Sequence, residues 1–233
     1  MNVASPTATQ RRPLAARRAP VAATVVAAFA VLAALGWWVH GNPRPVGFDE
    51  PTRHWLVTHT DSVVARLLLA LTDPVLTVGI LVLISIGALV VRAFDVVAIA
   101  GLAPLVGLLL ESHVLKPAFD RRFGLAEQLD PAVLEAGYAY PSGHETGLAA
   151  TTTVVALLVL RLELRRGPRR AAVAGLVTWT LLGAVGLVGN NFHYATDTVG
   201  GICLGTGLVL ATALLADAVA ARRAARPPAG QFT

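Results

Sequence analysis

Charge is scarce in this chain of 233 residues. Asp, Glu, Lys and Arg together make up 14%, where a soluble domain carries about 25%. The low share of charge and a mean hydropathy of +0.64 argue against an ordinary soluble enzyme. Cysteine is nearly absent: Cys203 stands alone, which excludes a disulfide-stapled secreted fold. Lysine is as rare. Of 19 basic residues only Lys116 is a lysine, so its position calls for an explanation that the arginines do not. Hydrophobic residues are plentiful at 55%, and they fall in long blocks, which excludes a disordered chain. The formal charge of +5 would suit nucleic acid in a soluble protein. Here the basic residues cluster between apolar blocks, so the partner they imply is a lipid bilayer and not nucleic acid.

Apolar runs of about 20 residues cross a bilayer's hydrocarbon core. Six fit: roughly Pro20 to Val39, Pro74 to Val91, Val96 to Leu115, Gly143 to Leu160, Ala171 to Val188 and Thr198 to Ala220. Each must be helical, because lipid offers no partner to an unpaired backbone group. The expected fold is therefore an all-α, polytopic membrane bundle of six transmembrane helices. Between the first two spans, Pro43, Pro45, Asp49, Glu50 and Pro51 mark a loop, and from Trp55 to Leu71 apolar residues return on one side of a helical wheel. That stretch reads either as an interfacial helix on the membrane surface or as a longer, tilted second span. The expected organisation is a mobile basic tail over 1–19, a membrane domain over 20–220 and a second mobile tail over 221–233.

Arginines set the expected orientation. Arg11, Arg12, Arg17 and Arg18 precede span one, Arg92 follows span two, five arginines from Arg161 to Arg170 join spans four and five, and Arg222, Arg223 and Arg226 follow span six. Six spans bring all of these to one side, which the positive-inside bias makes cytoplasmic. Both termini then lie inside, in what composition marks as a bacterial plasma membrane protein. A signal peptide is the weaker reading of residues 1–40, since the apolar run exceeds the usual 7–15 residues of a signal core.

Three polar clusters do not serve topology, and all fall at the outer ends of spans three to six. The first is Lys116, Arg121 and Arg122. A lone lysine at the mouth of a span points to a compact ammonium aimed at phosphate or carboxylate; Asp120, Glu127, Asp130 and Glu135 also allow a solvated mixed-charge loop. The second is Tyr140-Pro141-Ser142-Gly143-His144-Glu145. Ser142 and Glu145 have the spacing of a capping box, yet capping does not explain His144. A helix N-terminus is an anion site, Gly143 lets its backbone approach a ligand, and His144 stands where it can exchange a proton. The third runs from Asn190 to Asp197. His193 and Asp197, four apart, share a helical face, so the carboxylate can fix the tautomer of the imidazole and leave its other nitrogen nucleophilic. Tyr138, Tyr140 and Tyr194 are expected to flank a headgroup. His113, one turn before Lys116, reads as a packed or supporting residue, and His40, His54 and His59 as interfacial or solvated ones.

With these residues the chain resembles the type 2 phosphatidic acid phosphatase family, integral membrane lipid phosphate phosphatases related to the vanadium haloperoxidases. That family carries Lys-x6-Arg-Pro, then Pro-Ser-Gly-His, then Ser-Arg-x5-His-x3-Asp. The second motif is complete at Pro141-Ser142-Gly143-His144, and the third ends in His193 and Asp197. The resemblance covers about residues 60–215. Two motif cations are absent: Phe123 and Gly124 stand where the first motif has Arg-Pro, and Gly186 and Leu187 where the third has Ser-Arg. Arg121 or Arg122 is left to supply the first charge, and Asn190 and Asn191 are the candidates to donate hydrogen bonds in place of the second.

The resemblance implies hydrolysis of a lipid phosphate monoester or diphosphate through a phosphohistidine, without metal or other cofactor. His193 would be the nucleophile, Asp197 its orienting carboxylate and His144 the proton donor to the leaving group. Lys116, Arg121 or Arg122, and the backbone at Ser142 and Gly143 would bind the phosphoryl oxygens. Phosphatidic acid, phosphatidylglycerophosphate and polyprenyl phosphates all suit an extracytoplasmic site at the membrane surface. The missing arginines also allow a non-catalytic membrane protein that binds or transports lipid phosphates. A metal hydrolase using His144, Glu145, His193 and Asp197 lacks the tight ligand spacing such sites prefer.

Overall fold

Pro20 and Pro74 stand at the starts of their apolar blocks, where a proline does not interrupt a helix. A block that must enter lipid satisfies its backbone only as helix. The computed structural model of the protein describes residues 18–122 and 137–225. It is all-α: α1 (Arg18–Val39), α2 (Asp49–His59), α3 (Ser62–Ala70), α4 (Pro74–Val90), α5 (Phe94–Phe119), α6 (Gly143–Arg161), α7 (Arg166–Gly189) and α8 (Ala195–Ala224). Among the described residues six helices are long and apolar enough to span a membrane, with Ser62–Val90 acting as one. Outside the helices, one isolated antiparallel bridge joins Arg122 to Tyr138. Most of the two expected tails, and the loop carrying Phe123, Gly124, Glu127, Asp130 and Glu135, lie outside the described residues.

The Trp55–Leu71 stretch is divided between two helices. α2 is a separate short helix that ends at His59, and its Leu56 carbonyl is met by the Thr60 N–H. The second span then begins at Ser62, earlier than hydropathy alone places it, because Asp61 caps α3 by accepting from the Val63 and Val64 N–H groups. Asp73 caps α4 from Val75 N–H, with Pro74 at the first helical position, where its missing N–H costs nothing.

α5 is not a uniform α-helix. It widens into π-helix at Ala98–Leu102 and again at Glu111–Leu115. Each widened turn lies just ahead of a proline, Pro104 and Pro117. A proline has no N–H to give to the carbonyl four residues back, and the turn accommodates that loss by a wider pitch. The second widened turn carries Glu111 and delivers Lys116.

α6 is the central helix, with half of its apolar window buried, against 11% for α1. Its closest neighbour is α8, and the contact rests on small residues. A Cβ on Gly201 would lie 2.6 Å from the Ser142 carbonyl oxygen, and one on Gly205 would collide with the Thr146 carbonyl. Leu81, Ile99, Ala103, Val154 and Val209 pack together between α4, α5, α6 and α8. At the same end of the bundle, Arg161 pairs with Asp95 at 2.8 Å and Arg18 with Asp217 at 2.6 Å. The motif residues gather at the opposite end.

Candidate active site

Ser142 is buried and caps α6, its Oγ accepting from the Glu145 N–H at 3.4 Å while its own N–H donates to the Asp197 carbonyl at 3.0 Å. The first turn of α6 is thereby tied to the first turn of α8. Asp197 caps α8 in turn: Oδ2 accepts from the Tyr194 N–H at 3.0 Å. The same oxygen lies 3.5 Å from Nδ1 of His193, so the carboxylate faces one imidazole nitrogen and leaves Nε2 to the other side. His144 and His193 face each other with ring centroids 6.5 Å apart, and Phe192 meets the His144 ring edge-on at 6.3 Å.

The two histidines stand at the head of a cavity of about 930 Å³. Glu111, Lys116, Tyr138 and Gly143 line the same end; below them the walls are apolar, from Pro74 to Ile86 on α4 and from Ala100 to Leu108 on α5. Twelve residues of helix separate Pro74 from Ile86, so the cavity extends about 18 Å along the span. Lys116 pairs through Nζ with Oε1 of the buried Glu111 at 2.8 Å.

A family model described as the PAP2 superfamily matches residues 19–220. The chain belongs to the PAP2 superfamily. Among solved structures it is similar to the crystal structure of a transmembrane PAP2 type phosphatidylglycerolphosphate phosphatase from Bacillus subtilis. The two share 22% sequence identity at a TM-score of 0.65, covering 81% of this chain and 94% of that one. No curated protein matched the chain.

The PAP2 motif residues do not all reach the cavity. Lys116, Gly143, His144 and His193 line it. Asp197 is wholly buried behind His193. Arg121, expected near phosphate, is also wholly buried. Its Nη1 donates to Asp197 Oδ1 at 2.7 Å and to Thr196 Oγ1 at 2.5 Å, and its Nη2 donates to Asp49 Oδ2 at 2.9 Å. The Tyr194 ring lies under the guanidinium, 4.9 Å away. Arg122 is exposed; it stacks on Tyr138 at 4.2 Å and approaches Asp120 at 3.3 Å. Leu187, at the place of the third-motif arginine, is fully buried. Asn190 donates to the Ala65 and Gly186 carbonyls, both at 2.7 Å, and Asn191 accepts from Arg53 at 3.0 Å. Neither asparagine lines the cavity.

Of the three tyrosines only Tyr138 faces the cavity. Tyr140 is buried and donates to the Leu32 carbonyl at 2.6 Å; burial pushes its hydroxyl well above its ordinary pKa. Tyr194 is buried against Arg121, and desolvation raises its pKa too. His113 is exposed beside Ser112 on the outside of α5, neither packed nor in support of the site. Glu145 is fully buried, with its Oε2 beside Gly183 on α7, and among the described residues no three His, Cys, Asp or Glu side chains group as metal ligands.

Sequence reasoning missed two residues. Asp49 read as a loop acid; it is fully buried, accepts from the Thr196 N–H at 2.9 Å and from the Val46 N–H at 3.1 Å, and holds Arg121. Its place at the start of α2, after two prolines, was the available signal. Glu111, a lone acid five residues before the lone lysine in an otherwise apolar span, was the stronger one.

Proposed function

We propose that this PAP2 protein is a membrane phosphatase that hydrolyses a lipid phosphate monoester or diphosphate through a phosphohistidine at the outer membrane surface. One observation carries the reading: His193, backed by Asp197, faces His144 across the head of a long apolar cavity. In this reading the phosphoryl group binds between the two rings while an acyl or prenyl chain lies along α4 and α5. Nε2 of His193 attacks phosphorus as the bond to the lipid oxygen breaks, and His144 protonates the departing alkoxide. Asp197 stabilises the positive charge that develops on the His193 ring. In the second step His144 takes a proton from water, the resulting hydroxide attacks phosphorus, and the P–N bond breaks to release phosphate and free His193. Lys116 and the N–H groups of the first α6 turn bind the oxygens on which charge builds.

Arg121 enters this reading as a positioning residue and not as a phosphate ligand. It holds Asp197 from the side opposite His193 and, through Asp49, ties the pair to α2. Arg122 stays at the surface.

The test is phosphate release from phosphatidic acid, phosphatidylglycerophosphate and polyprenyl phosphates in detergent, beside His193→Ala. Release by the wild type and none by the variant supports the reading, as does inhibition by vanadate, which imitates pentacoordinate phosphorus. Binding of these lipids without release in either protein would favour a lipid-phosphate carrier, a reading that the paired state of Lys116 and Arg121 keeps in play.

A further inference from the structure

The cup that would receive phosphate already holds an anion of the protein's own. Oε1 of Glu111 lies 2.8 Å from Lys116 Nζ. It also lies against the first residue of α6: a Cβ built on Gly143 would be 2.6 Å from it. The absence of a side chain at 143 is thus what admits the Glu111 carboxylate to the helix N-terminus, the position where free N–H groups and the helix dipole attract anions. Glu111 is 3% exposed, and both it and Lys116 line the cavity together with Tyr138, His144 and His193.

Three arginines near this end are occupied elsewhere. Arg121 is held by Asp49 and Asp197, Arg53 by Glu50 and Arg122 by Asp120. Leu187 brings none. Among the described residues Lys116 is the one lysine or arginine on the cavity wall, and Glu111 cancels its charge.

We propose that Glu111 competes with the phosphoryl group for Lys116 and the α6 N-terminus, and so sets the affinity that any phosphate must reach to occupy the site. The proposal rests on the phosphatase reading above and adds what the site rejects. A lipid phosphate displaces the carboxylate because its chain, anchored in the membrane beside the cavity, presents the phosphoryl group at a high effective concentration. Inorganic phosphate has no chain, so Glu111 returns to Lys116 and the product is expelled. Glu111 weakens both phosphates alike, and above that raised threshold only a tailed phosphate stays bound, with a single cation on the cavity wall among the described residues.

Inhibition by inorganic phosphate reads this directly. The wild type, Glu111→Gln and Glu111→Asp are purified in detergent and assayed on a short-chain phosphatidic acid with phosphate added. Loss of the competing charge is expected to lower the inhibition constant of phosphate about fivefold in Glu111→Gln, the scale of a partly exposed ion pair, with a comparable fall in KM for the lipid. Glu111→Asp, whose carboxylate is drawn back by one methylene, is expected to fall between. An unchanged or raised inhibition constant in folded Glu111→Gln overturns the proposal. So does failure of both variants to fold, which would make the pair a strut of the bundle. If the wild type releases no phosphate from any lipid, the phosphatase reading fails instead. The rise in melting temperature on adding orthovanadate, expected to be larger in Glu111→Gln than in the wild type, then decides the competition by itself.

Discussion

Arg121 and Asp197 form an ion pair of 2.7 Å with neither side chain exposed, while the other oxygen of the same carboxylate lies 3.5 Å from His193. The buttress of the proposed nucleophile is therefore shared. A second acid, Asp49, holds the far side of the guanidinium at 2.9 Å, so one arginine serves two buried carboxylates. Thr196 Oγ1 and N–H close the cluster onto Asp49. Breaking such a pair by removing one partner costs more than the pair contributes, because the remaining charge is stranded away from water.

Removal of the proposed nucleophile is the sharpest test of the site. His193→Ala is expected to abolish phosphate release while the protein still inserts, since its loss takes away the reacting atom and leaves the helix contacts in place. Loss of one preorganised contact to a transition state typically costs about 3 to 4 kcal/mol, whereas loss of a helix cap costs about 1 kcal/mol. Wild-type turnover in the variant would show that another group attacks phosphorus.

Arg121→Ala is expected to act on folding before it acts on catalysis. Stranding Asp49 and Asp197 destabilises the protein by about 3 to 5 kcal/mol, seen as a large drop in the melting temperature in detergent. A variant that keeps its melting temperature and loses only affinity for substrate would make Arg121 a phosphate ligand after all.

Arg122→Ala and Lys116→Ala should separate cleanly. Arg122 is a surface residue paired with an exposed aspartate, and such pairs contribute about 0 to 1 kcal/mol, so turnover is expected to stay within about threefold of wild type. Lys116→Ala removes the ammonium from the cavity and is expected to lower kcat/KM by about a hundredfold. The two initial-rate series check this in one assay.

The contact between α6 and α8 tolerates no side chain at Gly201. Gly201→Val would drive a branched side chain toward the Ser142 carbonyl and the Glu145 Cβ, parting the helix ends that carry His144 and Asp197. Overpacking of this kind costs about 1 to 3 kcal/mol. Both the melting temperature and the turnover are expected to fall, whereas Gly175→Val, at an open position, should leave both near wild type.

Tyr140 sets a limit at alkaline pH. Its hydroxyl is neutral, buried and bonded to the Leu32 carbonyl, and its pKa is raised above the ordinary value of 10.0. A raised pKa means that the unfolded chain loses this proton first. The contribution of Tyr140 to stability is therefore full below about pH 10 and declines as pH rises above it. Melting curves of Tyr140→Phe are expected to show a shallower loss of stability above about pH 10 than the wild type, from a slightly lower starting point because the hydrogen bond is gone.

The membrane helices were legible because hydropathy and length act locally: a run of about 20 apolar residues has few alternatives to a spanning helix. Pro141-Ser142-Gly143-His144 and the His193–Asp197 spacing were legible for a similar reason, since a cap and a one-turn separation are properties of a single helix end. Arg121 was legible as a charge and not as a destination. Its partners Asp49 and Asp197 lie 72 and 76 residues away in the chain, and no pattern along the sequence pairs them. Asn190 and Asn191 likewise took their partners from α2, α3 and their own helix, away from the cavity.

By itself the sequence determined an all-α membrane bundle, the end of it where polar chemistry collects, and the pair of histidines with their carboxylate. Tertiary structure alone decided how the charges are distributed. Whether a cation faces a cavity or a buried acid depends on which distant helices meet it, and in a medium without water each charge takes the nearest counter-charge that packing offers. That is why Arg121 closes on Asp49 and Asp197, while Lys116 stays at the cavity with Glu111 for company.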